Sequence, residues 1–245
     1  MANPAELTIT YVAPNTRVDY PAADVIDEAG EIAIAPDEME QFRLNLFALA
    51  LESDASPQSV TIKAGDNPPA VQRALGDLVV NLDAVPASYE TELAGNDNDL
   101  VFTAVTGGEY GDDISIAYVD EGASETLAVA VAGKAITVTL GTAAGGAIES
   151  TAADIMDAIN EDDDASALVV ATLAADNDGT GVVTAMAAKT LGTDGDAGAS
   201  VTYLLGPLET ARFVGADGAI TLDFAVNEDV GGEIHVRVLE MPKAV

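Results

Sequence analysis

The run Asp176-Asn177-Asp178-Gly179-Thr180-Gly181 puts oxygen-bearing side chains at alternate positions, Asp176, Asp178 and Thr180. Hard cations such as Ca2+ and Mg2+ take oxygen ligands in this pattern, which matches the first half of an EF-hand loop. The bidentate carboxylate that closes such a loop is missing, because Ala187 holds its position. Asp97/Asp99, Asp112/Asp113 and Asp162-Asp163-Asp164 are further loop carboxylates, of a kind that arises by chance in so acidic a chain. A weak Ca2+ or Mg2+ site at Asp176, Asp178 and Thr180 is therefore the only cofactor expectation. A second candidate is Lys63-Ala64-Gly65-Asp66-Asn67-Pro68-Pro69. Its lysine precedes the glycine and no helix follows to aim amide groups at a phosphate, so it reads as a proline-stiffened turn.

Catalytic material is scarce. There is no cysteine, and the single histidine, His235, lies in the alternating run Glu233–Val238, where it reads as a structural strand residue. Carboxylate pairs could serve glycoside hydrolysis, but that chemistry needs aromatic platforms, and the chain has no tryptophan and 4% aromatic residues. The expectation is a protein that is not an enzyme.

Charge excludes further classes. The 42 acidic and 9 basic residues give a formal net charge of −33, which repels nucleic acid and anionic membrane alike. No apolar run approaches the ~20 residues that span a bilayer. The first residues, Met1-Ala2-Asn3-Pro4-Ala5-Glu6, lack the pattern of a signal peptide. Self-repulsion on this scale is relieved by salt, whose screening length falls to ~3 Å at 1 M, so a halophilic source is expected.

The elements that must position these residues fall into three stretches. Residues 1–88 alternate in short strand-like runs: 7–12, 31–35, 42–49, 59–63 and 77–82. From about residue 200 the same style resumes at 201–205, 219–224 and 234–238. The middle, 89–199, is richer in Ala, Gly, Thr and Asp, with strands near 100–105, 114–119, 126–131, 135–140, 169–173 and 182–186. It also holds one convincing helix, at 150–159, announced by a Thr151/Asp154 capping-box spacing. Residues 89–199 carry 21 acidic and 2 basic side chains, against 21 and 7 in the rest. The expectation is a mainly β protein: a discontinuous antiparallel β-sandwich base, 1–88 plus 200–245, with an inserted acidic α+β domain, 89–199.

Several base segments resemble a small family of tailed-virus structural proteins, the head decoration or cement proteins. They are Pro14–Arg17, Val60–Ala70, Gly76-Asp77-Leu78, Gly206–Phe213, Asp217–Ile220 and Met241-Pro242-Lys243. In that family the Gly-Asp-Leu strand is followed closely by the Gly-Pro-Leu-Glu strand, whereas here residues 89–199 intervene. The middle is similar to a module of assorted phage virion proteins, through Asn98–Ala104, Gly111–Ile116 and the helix at Thr151–Asn160. The resemblance implies a virion protein on the outer capsid surface that binds the major capsid protein, forms a homotrimer and projects its inserted domain outward, turret-like. That domain could also meet the host cell surface. Charge partition nominates Arg17, Arg43, Lys63, Arg73, Arg212 and Lys243 as capsid contacts, with Asp66, Pro68 and Pro69 on the same docking edge. Two alternatives stand beside this one: a tail or spike component binding host glycan or protein, and a free extracellular carbohydrate- or Ca2+-binding module.

Overall fold

Alternating apolar residues build strands that are buried on one face, and that pattern dominates the computed structural model, which describes residues 3–11, 21–34, 46–66 and 75–241. In chain order the strands are β1 (Ile9–Tyr11), β2 (Asp24–Ile26), β3 (Gly30–Ile34), β4 (Leu46–Ser53), β5 (Gln58–Ile62) and β6 (Leu78–Leu82). Then come β7 (Ser88–Glu90), β8 (Leu100–Ala104), β9 (Ser115–Val119), β10 (Ala128–Ala132), β11 (Ala135–Thr139), β12 (Val169–Leu173) and β13 (Met186–Thr190). The series closes with β14 (Val201–Glu209), β15 (Ile220–Ala225) and β16 (Ile234–Met241). The α-helices are α1 (Ala152–Glu161), α2 (Asp163–Ser166), α3 (Leu191–Asp194) and α4 (Thr210–Phe213).

The chain divides into two compact units, residues 1–84 with 200–245, and residues 85–199. The first, the base, is a sandwich. One sheet runs β1-β16-β4-β14, with β2 also paired to β16, and the other runs β3-β15-β5-β6. Phe47, Leu49 and Leu51 of β4 meet Val60 and Ile62 of β5 and Leu222 and Phe224 of β15 in one core. The core also holds Phe213, whose ring stands edge-on to Phe47 at 5.9 Å. Among the described strands of the base, pairing is antiparallel except between β1 and β16, and an isolated parallel bridge joins Glu6 to Ala33. The expected strand at 42–49 is found as β4 from Leu46, its first four residues lying outside the described residues.

The second unit packs the sheet β10-β11-β9-β13 and the sheet β12-β8-β7 around a separate core that includes α1. The connection from β9 to β11 leaves these neighbours parallel, with β10 paired antiparallel on the far side of β11. Helix α1 starts at a true capping box: Thr151 accepts from the Asp154 N–H while the Asp154 carboxylate accepts from the Thr151 N–H at 2.9 Å. Ala152, Ile155 and Ile159 form its buried face. The strand expected near 182–186 is displaced to Met186–Thr190. Val182 instead makes an isolated antiparallel bridge to Thr151, and the Val183 N–H donates to the Ser150 carbonyl at 3.1 Å, so these residues pair with the lead into α1.

Asn160, on the last turn of α1, substitutes for a missing strand neighbour. Its side-chain amide donates to the Ala171 carbonyl at 2.9 Å and accepts from the Ala171 N–H at 3.0 Å, occupying the middle of the outer edge of β12. Replacing Asn160 with Ala unpairs both groups, and is expected to destabilise the second unit by about 1–2 kcal/mol. A denaturation curve that separates the two units reads this as a shift of one transition only.

Candidate functional site

The segments that carry the resemblance are far apart in sequence, yet four of them meet at one corner of the base. The Gly65 N–H donates to the Arg212 carbonyl at 2.9 Å. The Arg212 Nη2 donates to the Gly76 carbonyl at 3.0 Å, and the guanidinium lies 4.6 Å over the Phe213 ring. The Ala64 N–H donates to Asp77 Oδ1 at 2.7 Å, and the Ala216 N–H to Asp66 Oδ2 at 2.9 Å. Three loops, 63–66, 75–77 and 212–217, are thus cross-bonded into one body.

Local sequence explains the corner. β14 ends at Glu209 and passes directly into the single turn of α4, which drops Phe213 into the core and turns the Arg212 carbonyl toward Gly65. Gly65 is required there for space, because a Cβ would lie 2.3 Å from the Val214 carbonyl oxygen. Gly76, at φ 57°, supplies the left-handed turn that presents its carbonyl to Arg212.

Of the nominated contact residues, Lys63, Asp66 and Arg212 lie in this corner or beside it. Lys63 makes ion pairs with Asp223 at 2.9 Å and Glu31 at 3.9 Å, across three neighbouring strands. Its hydrogen bond to Asp223 holds its pKa above the ordinary lysine value, against an opposing desolvation. Arg17, Arg43, Pro68, Pro69, Arg73 and Lys243 lie outside the described residues. Sequence reasoning passed over Asp77, Gly76 and Asp223, which hold Ala64, Arg212 and Lys63 in place. The only hint of them was their place in motifs quoted for other reasons.

Asp176, Asp178 and Thr180 stand in a turn of the second unit. Both the N–H and the hydroxyl of Thr180 donate to Asp178 Oδ1, at 3.0 and 2.6 Å, and these bonds hold the Asp178 carboxyl below the usual aspartate range. The turn serves α1: the Gly181 and Gly179 carbonyls accept from the first helical N–H groups, Ala152 and Ala153, both at 3.0 Å. Among the described residues no group of three or more His, Cys, Asp or Glu side chains is arranged to hold a metal ion.

The second unit also has a half-enclosed cleft of about 340 Å³ lined by Tyr89, Glu90, Glu92, Leu93, Met186, Lys189 and Asp194. Within it Lys189 pairs with Asp194 at 2.9 Å and the Tyr89 hydroxyl with the Met186 sulfur at 3.7 Å, while Glu90 and Glu92 add two further carboxylates to the lining. Comparison with known proteins finds no matching family, curated relative or solved structure.

Two outcomes follow from this geometry. Gly65→Ala forces the Val214 backbone aside and is expected to destabilise the base by about 1–3 kcal/mol, seen as a lower melting temperature of that unit. In an NMR pH titration, Asp178 is expected to protonate below the ordinary aspartate range, and Thr180→Val to move it back toward that range. Because its folded pKa is depressed, its contribution is present at neutral pH and is lost as pH falls through the folded value.

Proposed function

We propose that this chain is a virion structural protein that decorates the capsid of a tailed virus, docking through its β-sandwich base and projecting its acidic second unit outward. The observation that carries the reading is the corner just described. Gly65-Asp66, Gly76-Asp77-Leu78, Gly206–Phe213 and Asp217, quoted for the resemblance to decoration proteins, belong to loops and strands cross-bonded there. A docking module needs a preformed surface, since ordering loops on binding costs affinity. Specific interfaces of this kind bury of the order of 1,600 Å², and repeated copies stabilise a shell by binding its assembled form. The partners in this reading are the major capsid protein and two further copies of the chain.

The test uses particles of the encoding virus stripped of the protein. The full chain and a version with residues 85–199 replaced by a short linker are both expected to rebind the shell, with the tail unlabelled in electron micrographs. Labelling confined to the tail, or loss of shell binding by the folded shortened version, would overturn the assignment of the base as the docking module.

A further inference from the structure

A sheet edge left open exposes unpaired backbone N–H and C=O groups, and folded proteins ordinarily block such edges. The second unit occupies outward backbone groups, or breaks the strand, on three of its four. Asn160 occupies the middle of β12 through its two bonds to Ala171. Asp196 pairs with Ser88 of β7, the two backbones exchanging bonds of 2.8 and 2.7 Å. β13 is broken by a register shift between Met186 and Lys189, carries a charged lysine, and has its Thr190 N–H capped by Asp194 at 2.8 Å.

β10 is treated differently. The Lys134 carbonyl accepts from Ser115, at the start of β9, and the Leu140 N–H donates to Val119 of β9. Even-numbered residues along β11 therefore direct their backbone groups to β9, and odd-numbered ones to β10. By the register Ala128↔Thr139, Ala130↔Thr137 and Ala132↔Ala135, the groups of Ala128, Ala130 and Ala132 are the ones used. Those of Leu127, Val129 and Val131 point away from the sheet, and no hydrogen bond is found for them among the described residues. From Leu127 to Gly133 the strand carries no polar side chain at all. It lacks the lysine, the proline and the bulge that guard other edges.

The surroundings of this edge select its occupant. Glu125 to Leu127, leading into β10, form one wall of a groove of about 510 Å³. Glu149 and, on the exposed side of α1, Asp157 and Glu161 contribute further carboxylates to it. The unit as a whole holds 21 acidic residues against two lysines, and both lysines are already ion-paired. A second copy of the chain would set this charge against its like. We propose that the open edge of β10 accepts an extended, lysine- or arginine-bearing segment of a partner protein, which adds to the sheet as a further strand. Backbone pairing to Val129 and Val131 would supply the affinity, and the neighbouring carboxylates the selection for basic side chains. The inference concerns the second unit alone and stands whether or not the base docks on a shell.

The test measures fluorescence anisotropy of three labelled peptides with the intact protein: Lys-Val-Lys-Val-Lys-Val-Lys, its Glu-for-Lys counterpart, and a Lys peptide whose central valine is proline. The first is expected to bind and the other two to bind at least about tenfold more weakly. Val129→Pro removes an outward donor without touching the β10–β11 ladder, and is expected to weaken the first peptide by about tenfold. Glu161→Gln is expected to weaken it by about two- to threefold and to flatten its salt dependence. Equal binding of the two Lys peptides, or unchanged binding by folded Val129→Pro, would reduce the effect to charge alone and sink the proposal. Should Val129→Pro not fold, hydrogen exchange of the wild-type Val129 and Val131 amides decides: slowing by the Lys peptide supports strand addition, and no slowing overturns it. Self-association of the free protein with protection of the same amides would hand the edge to a second copy.

Discussion

The whole arrangement depends on closing the chain at the points where it leaves and rejoins the base. Val85 and Ala199, the first and last residues of the second unit, exchange two backbone hydrogen bonds, of 2.8 and 3.0 Å. Within the base, the Tyr203 hydroxyl accepts from the Asp83 N–H at 2.8 Å and donates to the Asp83 carbonyl at 3.2 Å. Each unit thus has its own ends tied, and neither needs the other to hold its termini. That is the physical condition for carrying a second domain in a loop: the host sheet keeps its register, and the guest closes its own core. It also accounts for the two separate hydrophobic clusters.

Inside the base, rigidity comes from close backbone approach more than from the charges. Gly65 lies against the Val214 carbonyl, and Gly206 against Ala48 and the Phe47 carbonyl, so that two segments from opposite ends of the sequence pack without side chains between them. Arg212 works as a clamp, bonding one loop while its guanidinium covers Phe213. Lys63 links strands β3, β15 and β5 on their outer face. A free cation available for a partner is not what these two residues present. Any surface formed here draws its specificity from shape and from the fixed directions of its loops.

Much of the β framework was legible in the sequence because half-buried strands alternate with a period of two. Val169–Leu173 and Ala135–Thr139 stand where alternation put them, and α1 begins at Ala152 as the Thr151/Asp154 spacing required. The Thr151–Asp154 box worked because its signal is local: two residues three apart satisfy each other. What was not legible was decided at long range. Nothing in Ser88–Glu90 marks a strand until β8 pairs with it, and the turn Thr210–Phe213 exists because Phe213 has a core to enter. The parallel partnership of β9 and β11 was invisible, since alternation fixes which face is buried but not which neighbour lies alongside. The open edge of β10 was hidden for the same reason. A run such as Ala-Val-Ala-Val-Ala reads as an ordinary strand, and only the register of β9, β10 and β11 reveals which of its backbone groups remain unused.

The acidity of the second unit has a structural logic that bulk charge conceals. Glu161, Asp162, Asp163 and Asp164 follow one another at the end of α1, where the helix dipole disfavours negative charge and no basic residue offsets it. The chain turns at Asp162 and begins α2 at once. Asp162 Oδ1 then accepts from the N–H groups of Asp164 and Ala165, at 3.2 and 2.9 Å, while Asp163 and Asp164 occupy the first turn of the new helix. The carboxylates that oppose the end of one helix therefore favour the start of the next. That local compensation removes the dipole penalty but leaves the mutual repulsion of four adjacent charges, and neither lysine of the unit is paired to them. Dissolved salt remains the agent that can screen them, its screening length falling from ~10 Å at 0.1 M to ~3 Å at 1 M. The acidic helix junction is thus built to be held by its caps and quieted by its solvent.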